Sequence, residues 1–223
     1  MLKCRLILFL ILLLSPLTVN TLSAQCPGDD GFPYWIWSPV DVADYTSFSF
    51  AASYNAVSGW NSIQGNIAHT VFGPFDDITM FDDNSLPGGV AGRTTRFSQA
   101  GKGTCRYMLD TCGHCMSAQV TYDAYVRLNA NLIRQAAAIY GLDSNLIAST
   151  VMAHEIGHAM GLSHIGSDLD SCDSVLSVMH VSVNRLIECS VFNPQIPCDS
   201  NGVYALYPFR VGDYCPCAGV SCL

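Results

Sequence analysis

Apolar positions in this chain recur with two different periods, and the alternation between them separates strands from helices. Over 45–60, Phe48, Ala51, Ala52, Tyr54, Ala56, Val57 and Trp60 follow the helical rhythm in part, with Gly59 weakening its end. Ahead of them, Phe32-Pro33-Tyr34-Trp35-Ile36-Trp37 reads as an edge strand or a packed N-terminal arm. Strands are expected over 68–72, 77–81 and 90–97, the last introduced by the punctuation of Gly88-Gly89. A cysteine-bearing loop over 98–116 follows, and then a partly alternating run over 119–129 that reads as the last strand of a sheet. Residues 130–140 favour a helix that Gly141 can stop. Ser144 is a plausible N-cap for the next helix, which ends just before Gly161. Its apolar positions Leu146, Ile147, Thr150, Val151, Ala153 and Ile156 predict one face packed into the sheet. Beyond 164 few periodic segments remain, and dense cysteines take the place of a large core. The pattern is that of an α+β fold.

The start of the chain bears on compartment. Lys3 and Arg5 precede an apolar run over 6–14, then Ser15-Pro16 and a stretch ending in Leu22-Ser23-Ala24. This layout predicts a signal peptide over 1–24, because the apolar run is too short to span a membrane. A lipid anchor at Cys26 fits poorly, since Gln25 stands where a small residue is expected. Of eleven cysteines, Cys4 leaves with the signal. The others, an even set, read as a disulfide framework in an exported chain, with connectivity left open by spacing alone. Ten basic residues face eighteen acidic ones. Removal of Lys3 and Arg5 makes the mature charge about −10, which argues against nucleic acid or an anionic membrane as partner. A secreted monomer without stable membrane association is expected.

The chemistry is concentrated in His154-Glu155-Ile156-Gly157-His158-Ala159-Met160-Gly161-Leu162-Ser163-His164. On a helix, His154 and His158 lie one turn apart on one face, at the spacing with which two imidazoles grip one metal ion. Glu155 lies beside that face, where its carboxylate can reach a water on the metal. Gly161 permits a sharp turn that can bring His164 round as a third ligand. Three protein ligands plus a water describe a catalytic zinc site, not a closed structural one.

Other groups compete for a role. Cys112-Gly113-His114-Cys115 has the spacing of thiol oxidoreductases, but it is followed by an expected strand and no βαβ pattern precedes it. A structural disulfide is the plainer reading, and a second metal site with His114 is a further one. The carboxylates Asp76, Asp77, Asp82, Asp83, Asp168, Asp170 and Asp173 offer oxygen ligands for calcium, at spacings that match no EF-hand loop. His69 is read as a surface or core residue rather than a ligand.

The zinc motif resembles that of the metzincin endopeptidases residue for residue. Met179 in Ser177-Val178-Met179-His180 matches their Met-turn, which implies an apolar floor under the ligands. The Trp60 region, Phe75-Asp76-Asp77-Ile78-Thr79-Met80, Gly88-Gly89-Val90-Ala91-Gly92, Val126-Arg127-Leu128-Asn129 and the run from Asp199 to Tyr207 are similar in order to matrixin catalytic domains. This resemblance implies a zincin with a twisted mixed sheet, an active-site helix and a smaller disulfide-rich C-terminal lobe. Residues 25–223 would form the catalytic domain, with an upper lobe over 25–161 and a lower lobe over 162–223. Zinc would be held by His154, His158 and His164, and Glu155 would serve as general base on a protein or peptide substrate. Three departures stand out. His180-Val181 replaces the matrixin Tyr-Pro, position 181 lacks the tyrosine of astacins and serralysins, and Ile165 lacks the aspartate of reprolysins. No cysteine-switch segment is visible, and Cys26 is assigned to a disulfide. The expected function is secreted zinc endopeptidase. The alternatives are a non-catalytic secreted protein that kept the metal site, and a thiol oxidoreductase using the Cys112–Cys115 motif.

Overall fold

The computed structural model describes residues 26, 40–64, 70–72, 77–105 and 117–206. In chain order they form β1 (Val40–Tyr45), α1 (Phe50–Gln64), β2 (Thr70–Phe72), β3 (Ile78–Asp82), β4 (Gly92–Cys105) and β5 (Ser117–Leu128). Then come α2 (Ala130–Tyr140), α3 (Ser144–Met160), a 3-10 turn (Cys172–Ser174), α4 (Val183–Glu188) and α5 (Cys198–Leu206). The fold is mixed α+β. Its five-stranded sheet has the order β2-β1-β3-β5-β4. Every neighbouring pair is parallel except β4 with β5, so the sheet is mixed and β4 is an antiparallel edge strand.

The sequence reading holds for most elements, with four differences. Strand β1 was not anticipated, because two aspartates in Val-Asp-Val-Ala-Asp-Tyr lower its strand propensity. Pairing on both sides with β2 and β3 overrides that preference, and Val40 and Val42 are buried. Helix α1 therefore starts at Phe50 rather than near 45, after the turn that ends β1. The loop expected from 98 is strand as far as Cys105, pairing with β5 through register shifts after Phe97 and after Ala100. The cap of α3 is Asp143, whose side chain accepts from the Asn145 N–H, so Ser144 is the first helical residue.

Helix α3 departs most from its expected packing. Almost every residue from Ile147 to Met160 is buried, not one face alone. Small residues make this possible: Ala148, Ser149, Ala153, Gly157 and Ala159 let neighbouring elements approach the helix closely. The sheet strands β4 and β5, and the helices α1 and α2, all pack against it. Trp60 of α1 is fully buried and donates its indole N–H to the Ala153 carbonyl at 2.7 Å. The helix ends at Gly161, whose φ of 103° lies in the left-handed region that glycine adopts without strain.

After α3 the packing is sparser. Val175, Leu186 and Val191 form a small separate cluster with Cys189 against it. A disulfide joins Cys172 to Cys189 beside this cluster, and a second joins Cys26 to Cys198 at the start of α5. Covalent ties thus supplement a minor core, as the cysteine density suggested.

Because Trp60 fills the space between α1 and α3, Trp60→Ala should cost about 3–5 kcal/mol of stability. A urea midpoint that falls with an unchanged slope is the expected result. An unaltered midpoint would mean that α1 does not anchor the central helix.

Candidate metal centre

The last two turns of α3 and the reversal after it assemble the three motif histidines. At Gly161 the chain turns, with the Gly161 N–H bonded to the His158 carbonyl and the Leu162 N–H to that of Gly157, each at 3.0 Å. This Schellman-type ending carries His164 back over the helix. The Nε2 atoms of His154, His158 and His164 then lie 2.9–3.1 Å from one another. Their other ring nitrogens are turned away in two cases. His154 Nδ1–H donates to the Val178 carbonyl at 2.7 Å, and His158 Nδ1–H to the Leu162 carbonyl at 2.8 Å. Those bonds fix the tautomers and aim the Nε2 lone pairs inward.

Three inward lone pairs at this separation repel unless a cation lies among them. Tetrahedral coordination with bonds of about 2.0–2.1 Å needs nitrogen–nitrogen edges of about 3.3 Å. The observed edges are a few tenths of an ångström shorter, so small side-chain adjustments suffice to hold a metal ion. Burial grades from His154, buried, through His158, half-buried, to His164, exposed. The open side of the site is therefore that of His164. Burial holds His154 well below an ordinary imidazole pKa and lowers His158 to about 4, with neighbouring histidines adding to the effect in both. All three are shifted towards the neutral form that ligates metal.

Glu155 is buried beside this triad. Desolvation raises its pKa to about 7, opposed by hydrogen bonds from Thr94 and by the Arg93 charge. Thr94 Oγ1 lies 2.7 Å from Glu155 Oε2 and 2.8 Å from the Glu155 carbonyl oxygen. A bound dication would favour the ionised carboxylate.

Met179 is fully buried against the same helix turn. A Cβ added to Gly157 would collide with the Met179 sulfur and lie 2.9 Å from the Trp60 ring. Glycine at 157 therefore allows the methionine to sit directly beneath the helix between the two ligands. The turn bearing Met179 is fixed from both sides. Main-chain bonds from Ile165 N–H to the Met179 carbonyl (3.1 Å) and from Val181 N–H to the Ile165 carbonyl (2.9 Å) tie it to the segment after His164. From below, the Asp199 carboxylate accepts the Ser177 hydroxyl, the Val178 N–H at 3.0 Å and the Gln195 N–H at 2.7 Å. Burial nevertheless raises Asp199 to about 6. Sequence reading matched Asp199 only as the start of the last helix. A single aspartate beside Cys198 carries no local signal that it supports residues more than twenty positions earlier.

The residues that depart from the matrixin pattern also have definite places. His180 is buried, accepts the Ser182 N–H at Nδ1 and approaches Asp170 Oδ2 with Nε2 at 3.3 Å. It faces inward, while Val181 is exposed at the cleft. Gly166, with φ of 77°, leaves room for this contact: an added Cβ would come within 2.6 Å of both His180 and Asp170. A cleft of about 900 Å³ opens beside the site. Residues 89–96 of the β4 region, the triad with Glu155, and residues 181–184 are among those that line it.

The other candidates do not converge. Asp83 is engaged with Ser85 and Arg127, and Asp170 with Ser167 and His180. Among the described residues, the triad is the one group of three or more His, Cys, Asp or Glu side chains whose ligand atoms come together. Cys112, His114, Cys115, His69, Asp76 and the expected signal peptide over 1–24 lie outside the described residues. Among the described residues no helix is long and apolar enough to cross a membrane. Neither models of known protein families nor curated proteins match the chain in comparison.

Two measurements follow from this geometry. A lowered histidine pKa keeps the neutral form dominant until the pH approaches the lowered value, so protons should compete with metal only well below 6.5. Affinity for Zn2+ or Co2+ should change little between pH 8 and 6 and fall steeply towards pH 4. A loss centred near 6.5 contradicts the burial argument. Asp199→Ala leaves buried donors unsatisfied and should destabilise the protein by more than about 2 kcal/mol. It should also weaken metal binding, because Val178 carries the carbonyl that orients His154; unchanged melting and affinity would remove Asp199 from the site's support.

Proposed function

We propose that the chain is a secreted zinc-dependent endopeptidase of metzincin type, most similar to the matrixins. The observation that carries this reading is the convergence of three imidazole Nε2 atoms beside the buried carboxylate of Glu155. Imidazole donors without thiolate suit zinc, and three such ligands leave a coordination position open. The seating of Met179 beneath Gly157 supports the metzincin assignment within the wider group of zinc hydrolases.

When bound, zinc supplies Lewis acidity, lowering the pKa of a water and polarising a carbonyl. The remaining steps belong to this chain's residues. Glu155 accepts a proton from the attacking water, from its buried seat beside the triad. It then delivers that proton to the leaving amine. His154 and His158 hold their neutral tautomers through backbone carbonyls, so ligation needs only small side-chain adjustments. Strand β4, at the edge of the sheet and on the wall of the cleft, can hold an extended peptide by main-chain hydrogen bonds. This is strand addition, and it favours a protein or peptide substrate.

The open cleft beside Glu155 supports a hydrolase over a binding protein that merely retains metal. The two disulfides support export, in keeping with a signal peptide over 1–24. The Cys112–Cys115 motif keeps the structural reading that its sequence context favours, with a strand after it and no βαβ pattern before it.

Incubation of the zinc-loaded protein with casein and a peptide library should give internal cleavage that a chelator abolishes. Glu155→Gln should retain stoichiometric zinc and lose about 10²- to 10⁴-fold in kcat. A fully active Glu155→Gln protein, or zinc-loaded wild type that cleaves no peptide bond, would overturn the assignment.

A further inference from the structure

Glu155 sits in a seat provided by a strand 61 residues away in sequence. Two residues of β4 make that seat. Gly92 leaves a gap in the strand: a Cβ there would lie 2.6 Å from Glu155 Oε1, 2.8 Å from its Cγ and 2.7 Å from Val151 Cγ1. Thr94, on the same face of the strand two residues on, brings its hydroxyl to Glu155 Oε2 at 2.7 Å. The same oxygen lies 2.8 Å from the Glu155 carbonyl, so Thr94 touches its partner at both backbone and side chain.

We infer that Thr94 is a positioning residue for the general base, holding Glu155 Oε2 so that Oε1, for which the missing side chain of Gly92 leaves room, takes the proton. The inference rests on the peptidase reading and names how that site is set. A terminal carboxylate torsion is broad, with no strong staggered preference of its own. Glu155 therefore needs an external bond to present one oxygen in one direction. Thr94 is the side chain that supplies such a bond among the described hydrogen bonds. An ionised carboxylate is acceptor-only, so the hydroxyl must be the donor. That direction remains available when Oε1 carries the transferred proton, because Oε2 is then the carbonyl oxygen of the acid. The bond can therefore persist through both halves of the proton transfer. Position 94 touches neither the triad's converging nitrogens nor the carbonyls that orient them, so its effect belongs to rate and not to metal affinity. The strand that carries Thr94 is also the one at the sheet edge beside the cleft, which links the seating of the base to the wall that meets the substrate.

The isosteric Thr94→Val removes the donor and keeps the shape; Thr94→Ser keeps the donor and removes a methyl group. In chelator-sensitive cleavage of one peptide, Thr94→Val should lower kcat about 10- to 100-fold, as for loss of a hydrogen bond to a charged group. Its KM should stay within about twofold of wild type and its zinc content unchanged, while Thr94→Ser restores kcat to within about threefold. Infrared spectroscopy of the zinc-free protein at pH 9 gives a readout independent of turnover. The carboxylate stretch assigned to Glu155 by its loss in Glu155→Gln should shift in Thr94→Val and not in Thr94→Ser. Wild-type kcat in Thr94→Val, failure of serine to rescue, a loss of zinc equal to the loss of rate, or an unshifted carboxylate band would each overturn the role of Thr94. Absence of peptide cleavage by the wild type would overturn the peptidase reading instead, and the infrared comparison would still decide whether Thr94 holds Glu155.

Discussion

Three imidazole nitrogens forced to within 2.9–3.1 Å of one another set the terms for the rest of this structure. Such an arrangement does not stabilise a metal-free fold. Two rings are locked with their protonated nitrogens bonded to carbonyls, so their lone pairs face a common point and repel. The surrounding elements leave the rings little alternative. His154 is enclosed by the packing of α3, and the turn at Gly161 limits where His164 can go. A cation at the centre converts that repulsion into attraction and links the core helix to the segment that follows it.

Helix α3 can hold this geometry because it is enclosed on every side rather than resting on a sheet by one stripe. An exposed helix could rotate or fray by a fraction of a turn and carry its ligands apart. Here Trp60 bonds the Ala153 carbonyl from one side, Met179 occupies the space beside Gly157, and Thr94 bonds Glu155 Oε2 from the strand side. The first two exploit an accessible carbonyl and a small residue on the helix. Gly157 weakens helix propensity, yet it admits the neighbours that fix the helix there. Local preference is subordinated to tertiary packing at the point where the chemistry is concentrated.

That subordination explains which parts could be read in advance. His154, Glu155, His158 and His164 were legible because the helical period and a glycine turn relate them within eleven residues. Met179 was legible only through resemblance to a family, since one methionine has no spacing of its own. Strand β1 was obscured by its two aspartates, and the burial of α3 on all sides by an apolar pattern that one face was enough to explain. Asp199 and Thr94 were invisible for a different reason. Their partners lie 21 and 61 residues away, and a carboxylate or hydroxyl is chemically indifferent until the fold supplies its neighbour.

The segment after Gly161 shows how accuracy can be reached without a large core. Its separate apolar cluster is small, Val175, Leu186 and Val191, while Val178 and Met179 of the turn at 177–180 join the main core. Directional and covalent ties add to that burial. Asp199 receives three donors from below, and the paired main chain of Ile165 and His180 joins it to the third ligand's loop. His180, turned inward to Asp170, adds a polar contact at the position where a matrixin carries tyrosine. Next to Asp199, Cys198 is bonded to Cys26 across 172 residues of chain. The helix that supports the turn is thereby anchored to the N-terminal end of the described structure. A continuous run of bonds then leads from that disulfide through Asp199 and Val178 to the Nδ1 of His154. The Cys26–Cys198 disulfide and the Asp199 carboxylate thus meet one mechanical requirement, which is to keep the Val178 carbonyl where it sets the tautomer of His154.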